Sequence, residues 1–132
     1  MALVKSPGGS IFPYFYKNGE LHCLKYGSFY ENEEALFRLI KEEEEFLLNQ
    51  PKRLPVWVDL YKTKLSPQVL QALLRNLDAL QNRILRLALV GMSLGNKRKW
   101  ERLLRDNQET GFSFTIRHYS DPEEAKTWLV GE

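Results

Sequence analysis

The sequence predicts a single α/β domain built on a mostly parallel sheet of about five strands and four helices. From Pro55 onward, short apolar runs alternate with longer stretches of helical periodicity. Before them, two strand-like runs flank an Asn-Gly dipeptide, which is typical of a β-hairpin. Strand, crossover helix and strand in succession indicate parallel pairing, and such sheets place binding sites in the loops at the carboxyl ends of their strands.

The first elements are a hairpin with the strands Ile11–Tyr16 and Leu21–Tyr26, joined by Lys17-Asn18-Gly19-Glu20. Asn-Gly supplies the positive φ angles of a type I′ turn. Pro13 cannot donate a hydrogen bond to a central ladder, so the first strand is expected at an edge or a bulge. Residues 1–10, which contain Pro7-Gly8-Gly9, are expected to be flexible, and residues 11–132 to form the domain.

The next element is a long helix with Asn32 as its N-cap and its end near Asn49. Its glutamates in Glu42–Glu45 are expected to face water. The apolar stripe consists of Leu36, Leu39, Ile40, Phe46 and Leu47.

Three strand-helix units follow. The strand Ile84–Val90 is largely apolar and suits a central position covered on both faces, whereas Phe112–Tyr119 alternates cleanly and suits an edge. Ser66-Pro67 is a strong helix start. The predicted pairs are Val56–Leu60 with Ser66–Leu80, Ile84–Val90 with Asn96–Thr110, and Phe112–Tyr119 with Pro122–Leu129.

The composition is that of an ordinary globular domain of 132 residues with a net charge of +2. No apolar run is long enough to cross a bilayer, and the start lacks the pattern of a secretory signal. Cys23 is a single cysteine, so a reducing cytoplasm is expected. Acidic residues gather in the first helix and basic residues later, which indicates solvated helix faces or docking to a charged partner. Without a strong basic excess, nucleic acid is a minor hypothesis.

Gly91-Met92-Ser93-Leu94-Gly95 matches the G-x-S-x-G pattern of a nucleophile elbow between a strand and a helix. Asp106 and His118 follow in the order of the α/β-hydrolases, so a serine hydrolase using Ser93 is one hypothesis. However, Asp106 lies within a predicted helix, and His118 shares a strand face with Phe114 and Ile116, which suits packing.

The same loop can also be interpreted as a phosphate cradle. Gly91 and Gly95 would free the backbone, the helix start would offer N–H groups, and Lys97–Lys99 would add positive charge. A small anionic ligand or nucleotide at the Gly91–Gly95 loop is therefore a second hypothesis, although neither phosphate-binding glycine motif is present and two glycines also suit a simple turn.

Other residues carry weaker indications of chemistry. His22, Cys23 and His118 are the only soft metal ligands, and neighbours on a strand point to opposite faces, so no metal site and no cofactor are expected. Asp59 is either a functional carboxylate at a strand end or a loop cap. The N-terminal aromatic residues suit strand packing, a stacking platform for bases or an association surface.

The order of elements resembles the STAS domain family of sulfate transporters and anti-sigma-factor antagonists, in particular its small stand-alone bacterial members. The resemblance lies in Val56-Trp57-Val58-Asp59-Leu60, in Leu87-Ala88-Leu89-Val90-Gly91 and in the ending Ser120–Leu129, with its acidic cap and Ala-x-x-Trp-Leu. It implies a cytoplasmic, non-enzymatic module for protein interaction and regulation. The antagonists carry Asp-Ser-[Ser/Thr]-x-Gly at the second helix, where this chain has Lys64-Leu65-Ser66-Pro67-Gln68, so the phosphorylation switch is not implied.

The expected working surface combines the loops Tyr61–Ser66 and Met92–Lys99, joined by Tyr119 and Ser120. Lysines would supply charge complementarity there, and Ser and Asn side chains hydrogen bonds. The N-terminal hairpin edge could support a homodimer by strand pairing. The candidate partner- or ligand-binding residues are Lys62, Lys64, Ser66, Ser93, Gly95, Asn96 and Lys97.

Overall fold

The computed structural model describes residues 3–107 and 111–131 and confirms the predicted α/β class. A 3₁₀ turn, Gln81–Arg83, follows the second helix. The strands are β1 Val4–Lys5, β2 Ile11–Phe12, β3 Tyr14–Tyr16, β4 Gly19–Lys25, β5 Leu54–Asp59, β6 Ile84–Val90 and β7 Thr115–Tyr119. The helices are α1 Glu33–Leu48, α2 Pro67–Ala79, α3 Leu94–Asp106 and α4 Pro122–Val130.

The main sheet has the strand order β3-β4-β5-β6-β7. β3 runs antiparallel to β4, and the other neighbours are parallel. The last three strands therefore lie side by side with one direction, as predicted, and β6 is central while β7 is an edge. One face packs against α1, α2 and α3, and the opposite face packs against α4.

Two predicted boundaries move by several residues. α3 begins at Leu94 rather than Asn96, because the Ser93 hydroxyl caps it by accepting the Asn96 N–H at 3.2 Å. β7 begins at Thr115 rather than Phe112, and the rings of Phe112 and Phe114 stack with their centroids 4.9 Å apart. The predicted end of the helix observed as α3, residues 108–110, lies outside the described residues.

The hairpin forms between β3 and β4, but its turn is displaced by one residue from the predicted Asn-Gly. Tyr16 pairs with Gly19, so Lys17 and Asn18 form the turn, and Lys17 adopts a φ of 53°. Gly19 lies in the strand, where a Cβ atom would be 2.9 Å from Cβ of Val130 in α4. The glycine is therefore required by close packing rather than by turn geometry. Pro13 separates β2 from the edge strand β3, as expected.

The N-terminal segment differs from the flexible tail expected for residues 1–10, of which Met1 and Ala2 lie outside the described residues. β1 and β2 form a small antiparallel sheet. Ser6 Oγ and the Gly8 N–H both donate to Oε2 of Glu43 in α1, at 2.7 and 2.9 Å. Ser10 Oγ donates to the carbonyl oxygen of Cys23 at 2.7 Å.

The prediction that the α1 glutamates face water is wrong for Glu43, which has no exposed surface. Its Oε1 lies 3.2 Å from Nε2 of His22, which is also fully buried. A buried carboxylate needs hydrogen-bond donors, and the N-terminal segment supplies two of the three. Glu42 and Glu45 are exposed, as expected.

Candidate functional site

The carboxyl ends of β4, β5 and β6 lead into loops that meet at one edge of the sheet. We call residues 26–32, 60–66 and 91–96 the loop rim. It contains an open groove with a volume of about 380 Å³. The groove is lined by Tyr30, Glu31, Leu60, Lys62, Thr63, Lys64, Leu65, Gly91, Ser93 and Asn96.

Non-glycine residues of the rim adopt left-handed backbone conformations. The φ angles are 67° at Ser28, 51° at Tyr30 and 58° at Lys62. Such conformations are uncommon for side-chain-bearing residues and persist only where surrounding structure holds them. Such conformations cluster at active sites, ligand clamps and switch regions, so this edge of the sheet is the candidate functional site.

Hydrogen bonds between the first two rim loops hold this backbone. The Ser28 N–H donates to the Tyr61 carbonyl at 2.7 Å, and the Tyr30 N–H donates to the Lys62 carbonyl at 2.8 Å. In return, the Lys64 N–H donates to the Tyr30 carbonyl at 2.7 Å. These three backbone hydrogen bonds join the two loops directly and fix the backbone from which their side chains project.

Side chains also form hydrogen bonds to the backbone of these loops. Thr63 Oγ1 donates to the carbonyl oxygen of Tyr26 at 2.8 Å and accepts the Phe29 N–H at 3.1 Å. Asp59 Oδ1 accepts the Tyr61 N–H at 3.1 Å, so this carboxylate acts as the loop cap that was one of its two sequence interpretations.

The rim exposes large apolar side chains together with amines. Tyr30 is 62% exposed and Leu94 65%, both high for apolar or aromatic residues. Lys62 is exposed, and Nζ of Lys64 lies 4.0 Å from Oε1 of Glu31 in a solvent-exposed pair. An exposed pair at this distance contributes little to stability, so these amines remain available to a partner.

The structure brings together four of the seven candidate residues, because Lys62, Lys64, Ser93 and Asn96 all line the groove. The other three do not line the groove. Ser66 Oγ caps α2 by accepting the Val69 N–H at 3.2 Å. Gly95 lies in the first turn of α3 facing open space, and Lys97 lies near His118 on β7.

Tyr119, which was expected to join this surface, does not line the groove. Its ring lies 6.1 Å from that of Trp128, on the face of the sheet that α4 covers. Ser120 is exposed but does not line the groove. Alternation along β7 explains this result, since Tyr119 and His118 point to opposite faces.

Ser93, Asp106 and His118 do not form a triad. Ser93 caps the start of α3 and Asp106 is its last residue, so a rise of 1.5 Å per residue separates them by about 20 Å. Ser93 has a φ of −68° and accepts a helix N–H, whereas the positive φ of 98° in this loop belongs to Gly91. Ser93 therefore has the geometry of a helix cap rather than of a strained nucleophile elbow.

The two glycines of the proposed phosphate cradle have different roles. Gly91 makes the turn, and a Cβ atom there would lie 3.0 Å from the backbone nitrogen of Tyr61. Gly95 lies inside α3 and makes no turn. At the start of this helix, the Asn96 N–H is already bonded to Ser93 Oγ.

His118 is half-buried on β7, and its pKa lies below its usual 6.5. Burial is the main cause, the positive charge of Lys97 adds to it, and Glu101 opposes it. Within residues 3–107 and 111–131, no group of three or more His, Cys, Asp or Glu residues could hold a metal ion.

Comparisons with protein-family models, with curated proteins and with solved structures found no match for the chain. Within the described residues, no helix is both long and apolar enough to span a membrane.

Sequence reasoning missed the contribution of the loop before α1 to the groove. Tyr30 and Glu31 line it, although they lie about thirty residues before the lysines. Parallel pairing of β4 with β5 brings their carboxyl ends together. The sequence predicts about five strands in one sheet but not their order, so it does not show that β4 lies beside β5.

Proposed function

We propose that the chain is a non-enzymatic protein-interaction module that binds an acidic surface of a partner protein through the loop rim. The observation that carries this proposal is the left-handed backbone at Ser28, Tyr30 and Lys62, held by hydrogen bonds between loops. Strain of this kind is retained where it presents side chains in a defined arrangement.

The chemistry of the rim suits a protein surface. Exposed Tyr30, Tyr61 and Leu94 supply apolar contact area, and tyrosine is enriched in protein interfaces. Lys62 and Lys64 add positive charge at the margin, where complementary charge steers association and selects partners. The groove is open rather than enclosed, which favours a macromolecular surface over a small molecule.

The resemblance to the STAS family supports a regulatory role for this interaction. That family uses a domain of similar layout for partner binding. Because Ser66 caps α2 with its hydroxyl, the proposal includes no phosphorylation switch at this position. Self-association through the β3 edge remains a separate prediction, and Phe15 on that strand is 66% exposed.

The test is a quantitative affinity capture from a native cell extract with the wild-type chain and two charge-reversed variants. The rim variant is Lys62→Glu/Lys64→Glu. The matched control is Arg38→Glu/Lys41→Glu, which changes the net charge equally at exposed positions of α1. A thermal melt checks that each variant is folded.

We expect proteins with acidic surfaces to be captured by the wild type and the control and to be depleted at least about tenfold with the rim variant. Recombinant partner should then bind with an affinity that weakens as salt increases. Equal capture by all three proteins, or equal loss in both variants, would contradict the proposed surface.

A further inference from the structure

A second cavity lies away from the loop rim, on the face of the sheet that α4 covers. Its volume is about 350 Å³, at the lower end of the range for small-molecule sites. The lining includes Cys23 of β4 and Trp57 of β5, which are register partners in the sheet, and we call these two residues the floor. Ser10, Ile11, Tyr14 of β3 and Lys126 of α4 also line the cavity.

The lining combines aromatic faces with amines. Tyr14 and Trp57 are half-buried and offer flat apolar surface, and Ile11 is 47% exposed at the edge. Lys5, Lys25 and Lys126 contribute ammonium groups, whereas the described lining residues include no carboxylate. Lys25 lies opposite Asp59 in the strand register, but the two form no ion pair within the described residues.

Lys126 is the most buried of these amines. Its side chain is only 14% exposed, and Nζ lies 5.6 Å from the ring centre of Tyr14, 5.2 Å from that of Tyr16 and 5.9 Å from that of Trp57. Burial by itself would lower the pKa of Lys126, but nearby Tyr14 and Glu123 outweigh it and raise the pKa above its usual value. The amine is therefore charged, and it lies among aromatic rings and 3.4 Å from Oε1 of the largely exposed Glu123.

Cys23 is 8% exposed, and burial with a nearby Asp59 raises its pKa to about 12. Its thiol is thus protonated near neutral pH and contributes apolar surface to the floor rather than a nucleophile. The cavity therefore offers positive charge at its margin over an apolar, aromatic floor.

We propose that this cavity binds a small planar organic carboxylate, whose ring lies against Trp57 and Tyr14 and whose carboxylate is held by Lys126 with Lys25. This site shares no residue with the loop rim and does not depend on the proposed interaction there. A hydrogen bond between an ammonium group and a carboxylate is shorter and stronger than one between neutral groups. The flat apolar floor selects a ring rather than a bare inorganic anion.

The test is an NMR titration of the ¹⁵N-labelled full chain with three probes: indole-3-acetate, the neutral indole-3-acetamide and inorganic phosphate. Probes of this size bind with Kd values on the order of 1 mM. We expect indole-3-acetate to shift the amide signals of Ser10 and Cys23 and the indole N–H signal of Trp57. Indole-3-acetamide and phosphate should bind at least about fivefold more weakly.

Substitutions of lysine residues test whether the preference for indole-3-acetate over indole-3-acetamide arises in this cavity. Lys126→Gln should remove most of the preference for the carboxylate over the amide, and Lys25→Gln should reduce it. Lys41→Gln, at an exposed position of α1, should leave the preference unchanged. Because Lys25 is exposed, its variant is expected to fold, and the dispersed spectrum checks this. Equal binding of acid and amide, phosphate binding as tight as the acid, shifts confined to other regions, or no shifts at all would each overturn the proposal.

Discussion

The hydrogen bonds around Glu43 allow a direct measurement of how firmly the N-terminal segment is attached. Ser6 Oγ donates to Oε2 of Glu43 at 2.7 Å and accepts the Ser10 N–H at 3.2 Å, and both serines are buried. Ser6→Ala removes a hydrogen bond to a charged group, worth about 1.5–3 kcal/mol, and a neutral one of about 1 kcal/mol. We expect the free energy of unfolding to fall by about 3 kcal/mol.

Urea unfolding followed by tryptophan fluorescence measures this change, and a thermal melt should show a Tm lower by about 8–12 °C. The exposed Ser120→Ala is the control and should change stability by less than about 0.5 kcal/mol. In a double-mutant cycle, Ser6→Ala should cost much less in the presence of Glu43→Leu, because its acceptor is already absent. A loss below about 0.5 kcal/mol would indicate a detached segment. An equal loss in both backgrounds would contradict the bond between Ser6 and Glu43.

Four further predictions concern individual side chains and glycines. Since the positive charge of Lys97 helps to lower the pKa of His118, Lys97→Gln should raise that pKa in an NMR titration, and an unchanged value would contradict their proximity. The lowered folded-state pKa of His118 also means that the unfolded state binds the proton more readily, so its contribution to stability should be lost as the pH falls below 6.5. The Cys23 thiol, with a pKa of about 12, should react with iodoacetamide at pH 8 far more slowly in the native protein than in denaturant, and equal rates would exclude its burial. Gly91→Ala should destabilise the protein by about 2 kcal/mol, because the φ angle of Gly91 is 98° and a Cβ atom there would lie 3.0 Å from Tyr61. Gly95 lies in a helix and faces open space, so Gly95→Ala should be neutral or stabilising by up to about 1 kcal/mol. Equal urea midpoints for the two variants would contradict the prediction.

Much of the site could be located from the sequence because parallel topology follows from local patterns. Apolar runs separated by helical periodicity predict strands of one direction, and their following loops must then meet at one edge. Lys62, Lys64, Ser93 and Asn96 meet there as expected. The remaining lining residues and the left-handed backbone could not be predicted, because they depend on hydrogen bonds between loops that are distant in the sequence.

Chemical motifs read along the chain were less informative than the topology. The G-x-S-x-G pattern suggested equivalent glycines around Ser93, but Gly91 makes a turn and Gly95 lies in a helix. The pattern is short, and a helix cap satisfies it as well as a nucleophile does. The role of Ser93 depends on where α3 begins, and α3 begins at Leu94 rather than at the predicted Asn96.

The order and type of the main strands and helices, and the common direction of the last three strands, can be predicted from local patterns, because hydrophobic periodicity and helix start signals act over neighbouring residues. Which polar groups are buried depends instead on contacts between distant parts of the chain. Four consecutive glutamates are chemically identical in the sequence, yet Glu43 alone of these four is fully buried. The reason is that a segment about thirty-five residues earlier folds over α1 and delivers the donors that a buried carboxylate requires.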